Sequence, residues 1–328
     1  MKFFITFALL FVFLKADSYK IGQGLKLDDT LHIGGYFSTD YTTSDLKRQY
    51  RLDDVALLAY GRLSSSLSYL IELEAAPFYV KDYKLDTSTS DKEFHYERAY
   101  LNYNYSEMFN IRIGKQITPI GYWNLEPINV LRDTSSNPIY SYKIFPKLLT
   151  GVDLFGYLDE ENTLTYHLFM QNNKDLDEEY INIPNDYFFG ISFGYDISPQ
   201  INIGGSVGRY TIKYEDKDVD FIQFNAKYDS DLLMLQTEWA YNSVDNKIVN
   251  TSNYKLSGYL QALYNFNMHH AMIGRYEYYN DNEIDNVEHM AIIGYSFRPI
   301  YSVSLKAEYQ MNSDSSLSKS IISFSVLF

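Results

Sequence analysis

The chain has 328 residues, no cysteine, and a formal net charge of −14 at pH 7 from 28 basic and 42 acidic residues. Without a thiol there is no disulfide staple, thiolate catalysis, Cys-based metal site or lipidation cysteine. The acidic balance, with no patch of clustered Lys and Arg, excludes the usual basis for binding nucleic-acid phosphates.

The first element is an address. Lys2 precedes an apolar run from Phe3 to Leu14, broken only by Thr6, and Ala16-Asp17-Ser18 supplies a small-x-small cleavage pattern. The run is shorter than the roughly 20 residues of a membrane helix. It reads as a signal peptide over 1–18, cut after Ser18 or after Ala16, with the folded protein over 19–328. Its removal takes two lysines and one aspartate, leaving the exported chain more acidic still.

Alternating segments of about ten residues follow, the per-strand signature of a membrane β-barrel. The predicted strands cover 31–42, 50–62, 66–78, 92–104, 108–117, 149–158, 162–172, 185–196, 199–211, 218–229, 232–243, 253–266, 269–280, 285–297, 300–311 and 318–328. Their connections alternate in length. Tight turns are predicted at Ser64-Ser65, Tyr105-Ser106-Glu107, Asp159-Glu160-Glu161, Ser198-Pro199, Asp229-Ser230-Asp231, Asn267-Met268 and Arg298-Pro299. Longer polar loops are predicted near 43–49, 79–91, 118–148, 173–184, 212–217, 244–252, 281–284 and 312–317. The fold class is therefore all-β, an antiparallel transmembrane barrel of about 16 strands with short periplasmic turns and long external loops. Lipid admits only helices and closed barrels, and the chain holds no helix candidate of spanning length. The 33 Tyr and 21 Phe, against 2 Trp, suit the aromatic girdles of such a barrel.

The period of two assigns the faces. In the fifteenth segment Val303, Leu305, Ala307 and Tyr309 oppose Ser304, Lys306, Glu308 and Gln310; in the eleventh Leu233, Leu235, Trp239 and Tyr241 oppose Gln236, Glu238 and Asn242; in the third Tyr69, Ile71, Leu73 and Ala75 oppose Glu72 and Glu74. Charges thus collect inside, and sixteen strands leave room for water where eight would be filled by side chains. The pore-lining candidates are Arg62, Glu72, Glu74, Arg98, Arg112, Arg275, Lys306 and Glu308, with Lys255, Glu238 and Glu277 on the same face. Each has a plainer reading as a solvated wall residue. The acidic run Asp175-Leu176-Asp177-Glu178-Glu179 would draw cations to the mouth, or simply solvate an outer loop.

The third long loop is the longest, and Tyr122, Trp123, Ile128, Val130, Leu131, Ile139, Tyr142, Ile144 and Phe145 make it too apolar for disorder. It is expected to fold into the lumen and narrow it; the alternative is packing on neighbouring loops or another subunit. Its charges Glu126, Arg132, Asp133, Lys143 and Lys147 are the constriction candidates.

Ile111-Arg112-Ile113-Gly114-Lys115-Gln116-Ile117-Thr118-Pro119-Ile120-Gly121 resembles the strand and loop entry of the phosphate-selective porin O and P family. The resemblance implies sixteen strands, a constricting third loop, a homotrimer in the outer membrane, and anion selectivity through inward lysines and arginines. Here inward glutamates match the cations and no lysine cluster stands out. Gly114 and Gly121 free the backbone where the strand bends, and Pro119 ends the ladder. Arg112, inward like Gly114 and close to where the loop departs, is expected to line the narrow zone or to pair with a neighbouring carboxylate.

The expected function is passive diffusion of small hydrophilic solutes or ions through a water-filled lumen of a bacterial outer-membrane porin. The alternative is a non-channel barrel acting as an adhesin or binding a hydrophobic ligand. An enzyme is not expected: the histidines at 32, 95, 167, 269, 270 and 289 show no metal-ligand spacing, and there is no Gly-x-Ser-x-Gly elbow or phosphate loop. Gly204-Gly205-Ser206-Val207-Gly208 lies within a strand pattern. No cofactor or metal is called for, and the expected partners are outer-membrane lipid and small solutes.

Overall fold

A computed structural model describes residues 19–177, 180, 182–212 and 214–328; the expected signal peptide lies outside them. Two short strands come first, β1 (Tyr19–Lys20) and β2 (Gly24–Lys26), then β3 (His32–Ser44), β4 (Arg48–Arg62) and β5 (Leu67–Ala75). A hairpin of β6 (Tyr79–Asp82) and β7 (Thr87–Thr89) precedes β8 (His95–Asn104) and β9 (Asn110–Ile117). The next connection carries a 3-10 turn at Asn129–Leu131 and the single-turn helix α1 (Tyr140–Lys143). The wall resumes with β10 (Leu148–Tyr157), β11 (Leu164–Gln171), β12 (Asn185–Ser198), β13 (Ile201–Ile212) and β14 (Lys217–Asp229). It ends with β15 (Leu233–Asn246), β16 (Thr251–Asn267), β17 (His270–Asp281), β18 (Asn286–Ile300), β19 (Val303–Asn312) and β20 (Lys319–Leu327).

Leaving aside β1, β2, β6 and β7, sixteen strands form a closed antiparallel barrel. β20 pairs with β3 from Lys319↔Ser44 to Leu327↔Tyr36, and Phe328 exchanges two 2.8 Å backbone bonds with Gly35 beyond that ladder. Closure leaves no long edge whose N–H and C=O groups need another partner. Among the described residues no helix is long and apolar enough to cross a membrane.

The two faces divide as the alternation predicts. On β19, Ser304, Lys306, Glu308 and Gln310 are buried inside while Leu305 and Tyr309 are exposed outside. Leu57, Ile71, Ile113, Ile222, Leu260 and Ile293 extend this exposed apolar band around the outer face. Outward tyrosines cluster near the strand ends, among them Tyr195, Tyr228 and Tyr264 toward the short turns.

Three features depart from the sequence reading. The segment 79–91, expected as loop, contains β6, which pairs with Gln49–Leu52 of β4 and continues the wall where the shorter β5 stops. Arg298-Pro299, expected as a turn, lies in β18 at a register shift between Phe297 and Ile300; Pro299 lacks the N–H a ladder needs, and the reversal falls one step later at Tyr301-Ser302. Several of the expected long loops are tight: the strands run on to short turns that end on Asp216, Asn250 and Asp285 at positive φ, a conformation Asn and Asp tolerate.

A positive charge on the outward face opposes lipid burial. Ile222→Lys, near the middle of β14, is expected to cost about 2–4 kcal/mol, whereas Ile222→Leu should stay within about 0.5 kcal/mol. Equilibrium urea unfolding in phospholipid vesicles reads both; equal stability of the two variants would refute a lipid-facing Ile222.

Candidate functional site: the lumen and its inserted loop

The segment 118–147 lies inside the barrel with little regular structure of its own. Buried backbone needs hydrogen-bond partners, and the inner wall supplies them. Glu238 accepts from the N–H groups of Tyr122 (3.0 Å) and Trp123 (2.8 Å), Glu277 from that of Ile139 (2.8 Å), and Glu308 from those of Ser135 (3.2 Å) and Ser136 (3.1 Å). Cations answer the carbonyls. Arg275 donates to Ser136 O (3.0 Å), Lys306 to Asn129 O and Thr134 O, and Arg298 to Val130 O, Leu131 O and Arg132 O. Tyr210 and Asn242 both donate to Ile144 O. Charge-assisted bonds of this kind contribute about 1.5–3 kcal/mol each.

Gly121 is required at the first of these contacts. Its φ is +68°, and an added Cβ would stand 1.8 Å from the Glu238 carboxylate. Gly114, at φ +129°, packs against the Ala99 carbonyl, where a Cβ would come within 2.2 Å. Pro119 comes two residues after the end of β9, once Thr118 N–H has made the last bond to the facing chain, at Lys147 O (2.9 Å).

Apolar side chains fill one side of the lumen. Ile120, Ile139, Tyr140, Ile144 and Phe145 of the loop join Phe188, Tyr210, Phe221, Tyr259 and Tyr279 of the wall in one cluster. The water-filled lumen expected from the sequence is therefore reduced to polar space on the opposite side, along β3–β8 and β18–β20.

There a cavity of about 760 Å³ runs from Ser44 and Lys319 at the long-loop end down to Ser38, Asp54 and Asn129. Asp40, Asp53, Asp54 and Glu288 line it together with Lys47, Arg51 and Lys319, and Arg51 bridges Asp40 (2.8 Å) and Asp53 (3.2 Å). A second cavity, about 380 Å³, occupies the short-turn end and shares no lining residue with the first. The buried Tyr36, Ala56, Leu58, Glu72 and Glu74 lie between them on β3, β4 and β5.

This middle layer is densely charged. A bulge on β8, opposite Glu72 and Leu73, turns both Glu97 and Arg98 inward. Arg98 pairs with Glu72, Lys147 with Glu97 (2.7 Å), and the Tyr36 hydroxyl stands between Glu74 (3.0 Å) and Glu97 (3.1 Å). Burial opposes the Lys147 ammonium, but Glu97 and Glu74 outweigh it and hold its pKa above the usual lysine range. Arg132 is buried 5.5 Å over Trp123; burial pulls its pKa down, against the field of Asp54 and Glu97.

The candidate residues thus separate into groups. Glu72, Glu74, Arg98, Arg132 and Lys147 meet in the middle layer. Arg275, Lys306 and Glu308 face inward, but the loop covers them and they tether it. Glu126 is exposed on the loop, Asp133 lies 3.7 Å from Arg298, and Lys143 is exposed beside Tyr142. Lys255 pairs with Asp281 (2.9 Å). Arg62 and Arg112 line the short-turn cavity, away from the loop. In the acidic run, Asp175 binds Lys115 (2.9 Å) and Asp177 contacts His95 (3.1 Å); Glu178 and Glu179 lie outside the described residues. Two of the carboxylates expected at an open mouth are thereby paired. The sequence reading missed Asp54, Glu97 and Tyr36: the β8 bulge hides Glu97, a second register shift between β3 and β4 at Phe37/Thr39 hides Asp54, and apolar neighbours hide Tyr36 from a simple alternation.

No protein-family model matches the chain, and no curated protein matches its sequence. Several solved structures are similar in fold. The anion-selective porin from Comamonas acidovorans has a TM-score of 0.64 at 12% identity, covering 91% of this chain and 99% of that one. The outer membrane channel DcaP of Acinetobacter baumannii also has 0.64 at 12%, covering 93% and 100%. OmpT of Vibrio cholerae, an outer membrane protein in its trimer form, has 0.64 at 11%, covering 91% and 99%. The fold is accordingly that of sixteen-stranded bacterial outer-membrane barrels.

Removing two of the carboxylates that hold the loop should release it. Glu238→Ala with Glu308→Ala is expected to expose Arg132 and Lys147 to trypsin in the refolded barrel, where the parent chain resists cleavage at both. Unchanged resistance at both would contradict the tether.

Proposed function

We infer that the protein is an outer-membrane diffusion channel for small hydrophilic solutes or ions. The observation that carries this reading is the polar half-lumen: cavities with charged walls at both ends of a sixteen-stranded barrel, confined by an inserted loop. Selectivity in such pores follows from diameter and lining charge. The apolar outer band fits a bilayer, and export by a cleaved signal peptide fits the first eighteen residues. Structural neighbours described as porins or channels support the reading, and the trimer form of OmpT is consistent with a homotrimer. The narrower assignment to the phosphate-selective porin O and P family rests on the Ile111–Gly121 stretch.

Charges of both signs line the long-loop cavity, and the mechanism they support needs no bond chemistry. A solute enters at the long-loop end, exchanges hydration for weak contacts with Asp40, Arg51 and Lys319, and goes farther only as the layer of buried Glu97 and Arg132 and half-buried Lys147 gives way. Those last charges set the filter, because there the wall and loop come together.

In a planar bilayer the purified barrel should give discrete ion-conducting steps. Arg132→Ala should shift the reversal potential in a salt gradient toward greater cation preference, since it removes a positive charge beside Asp54 and Glu97. Silent bilayers with correctly folded protein would overturn the channel reading; an unchanged reversal potential would remove Arg132 from the filter.

A further inference from the structure

The cavity at the short-turn end is built by five neighbouring strands in register. His32 of β3 lies across from Tyr60 of β4, Arg62 across from Ser68, Leu70 across from Tyr100, and Asn102 of β8 across from Arg112 of β9. All of these residues line the cavity, whose volume of about 380 Å³ falls in the range of small-molecule sites.

Its polar groups are poorly satisfied by the protein. His32 Nδ1, Asn102 Oδ1 and Arg112 Nε are buried atoms without a hydrogen-bond partner. The Arg112 guanidinium is held by ring faces, 4.8 Å from the centre of Tyr100 and 5.0 Å from that of Phe155. Neither Arg112 nor Arg62 has an ion pair or hydrogen bond among the described residues, whereas every other arginine of the chain has one. The nearby carboxylates are engaged elsewhere. Asp153, opposite Arg112 in the β9–β10 register, binds His167 at 2.9 Å, and Asp29 at the cavity rim binds Lys26 at 2.6 Å. In so acidic a chain, two unpaired arginines facing one cavity leave an anion's place unfilled.

The walls narrow the class of anion. His32 stacks on Tyr60 at 5.1 Å with the rings 14° apart, and Tyr100 carries the guanidinium on its face. A guanidinium matches a carboxylate in plane and donates two parallel bonds to it, while the parts of Tyr60 and Tyr100 not covered by His32 and Arg112 line the cavity with flat apolar surface. We propose that this cavity binds a small aromatic carboxylate, its oxygens between Arg62 and Arg112 and its ring against Tyr60 and Tyr100. Asn102 and His32 complete the polar rim, and the protein thereby concentrates this solute class at its short-turn mouth.

The binding does not require an open passage, so its test is independent of conductance. Isothermal titration of the full refolded barrel with benzoate, with acetate and with inorganic phosphate reads it directly, each variant checked for β circular dichroism. Benzoate should bind more tightly than acetate or phosphate, and Arg62→Gln and Arg112→Lys should each weaken it at least about tenfold, the latter by losing the planar fork. Arg62 is exposed at the end of β4, so its replacement leaves the barrel intact. Benzoate binding that is absent, or unchanged in both variants, overturns the proposal. Phosphate bound more tightly than benzoate overturns the aromatic class.

Discussion

Every backbone N–H and C=O that leaves water must find a partner in the protein, and this requirement organises the barrel twice over. In the wall it is met by closure: β20 returns to β3, and Phe328 extends the pairing by two further bonds. Inside the lumen no ladder is available to an irregular loop. The wall's charged side chains take over that role, three glutamates accepting from the loop's N–H groups and Arg275, Arg298 and Lys306 donating to its carbonyls.

This division of labour explains the placement of charge. Ionised groups on β15–β19 would be expensive under a packed loop if they were unpaired. Their bonds to the loop backbone offset that cost and fix its position. The apolar cluster around Phe188, Phe221 and Tyr259 then fills the space behind the loop. What stays open is polar space at the two ends of the side formed by β3–β8 and β18–β20, with the buried charges Glu97 and Arg132 and the half-buried Lys147 between them.

Much of the fold was legible in the chain because the period of two survives wherever one face is apolar and the other polar. All sixteen wall strands lie where that alternation places them, and the loop at 118–147 was marked for the lumen by its length and its apolar content. The period fails where both faces are apolar. Phe188, Tyr210, Phe221, Tyr259 and Tyr279 point inward, yet nothing local separates them from outward aromatics until the loop they pack against is in place. The Glu97 bulge changes parity within β8, so counting by twos assigns only one of Glu97 and Arg98 to the lumen. Arg112 was legible as inward, but its unpaired state depends on Asp153 being taken by His167, a contact with no local signature.

The seat of the loop inside the barrel decides most of this, and the absence of native cysteine makes it directly measurable. Ser135 of the loop and Ser323 of β20 are hydrogen-bonded through their hydroxyls. With Ser135→Cys and Ser323→Cys introduced together, a loop seated in the lumen will form an intramolecular disulfide in the folded barrel, read by mass spectrometry before and after reduction. Two free thiols after oxidation, with the one on the loop readily labelled by a bulky maleimide, would contradict an inserted loop.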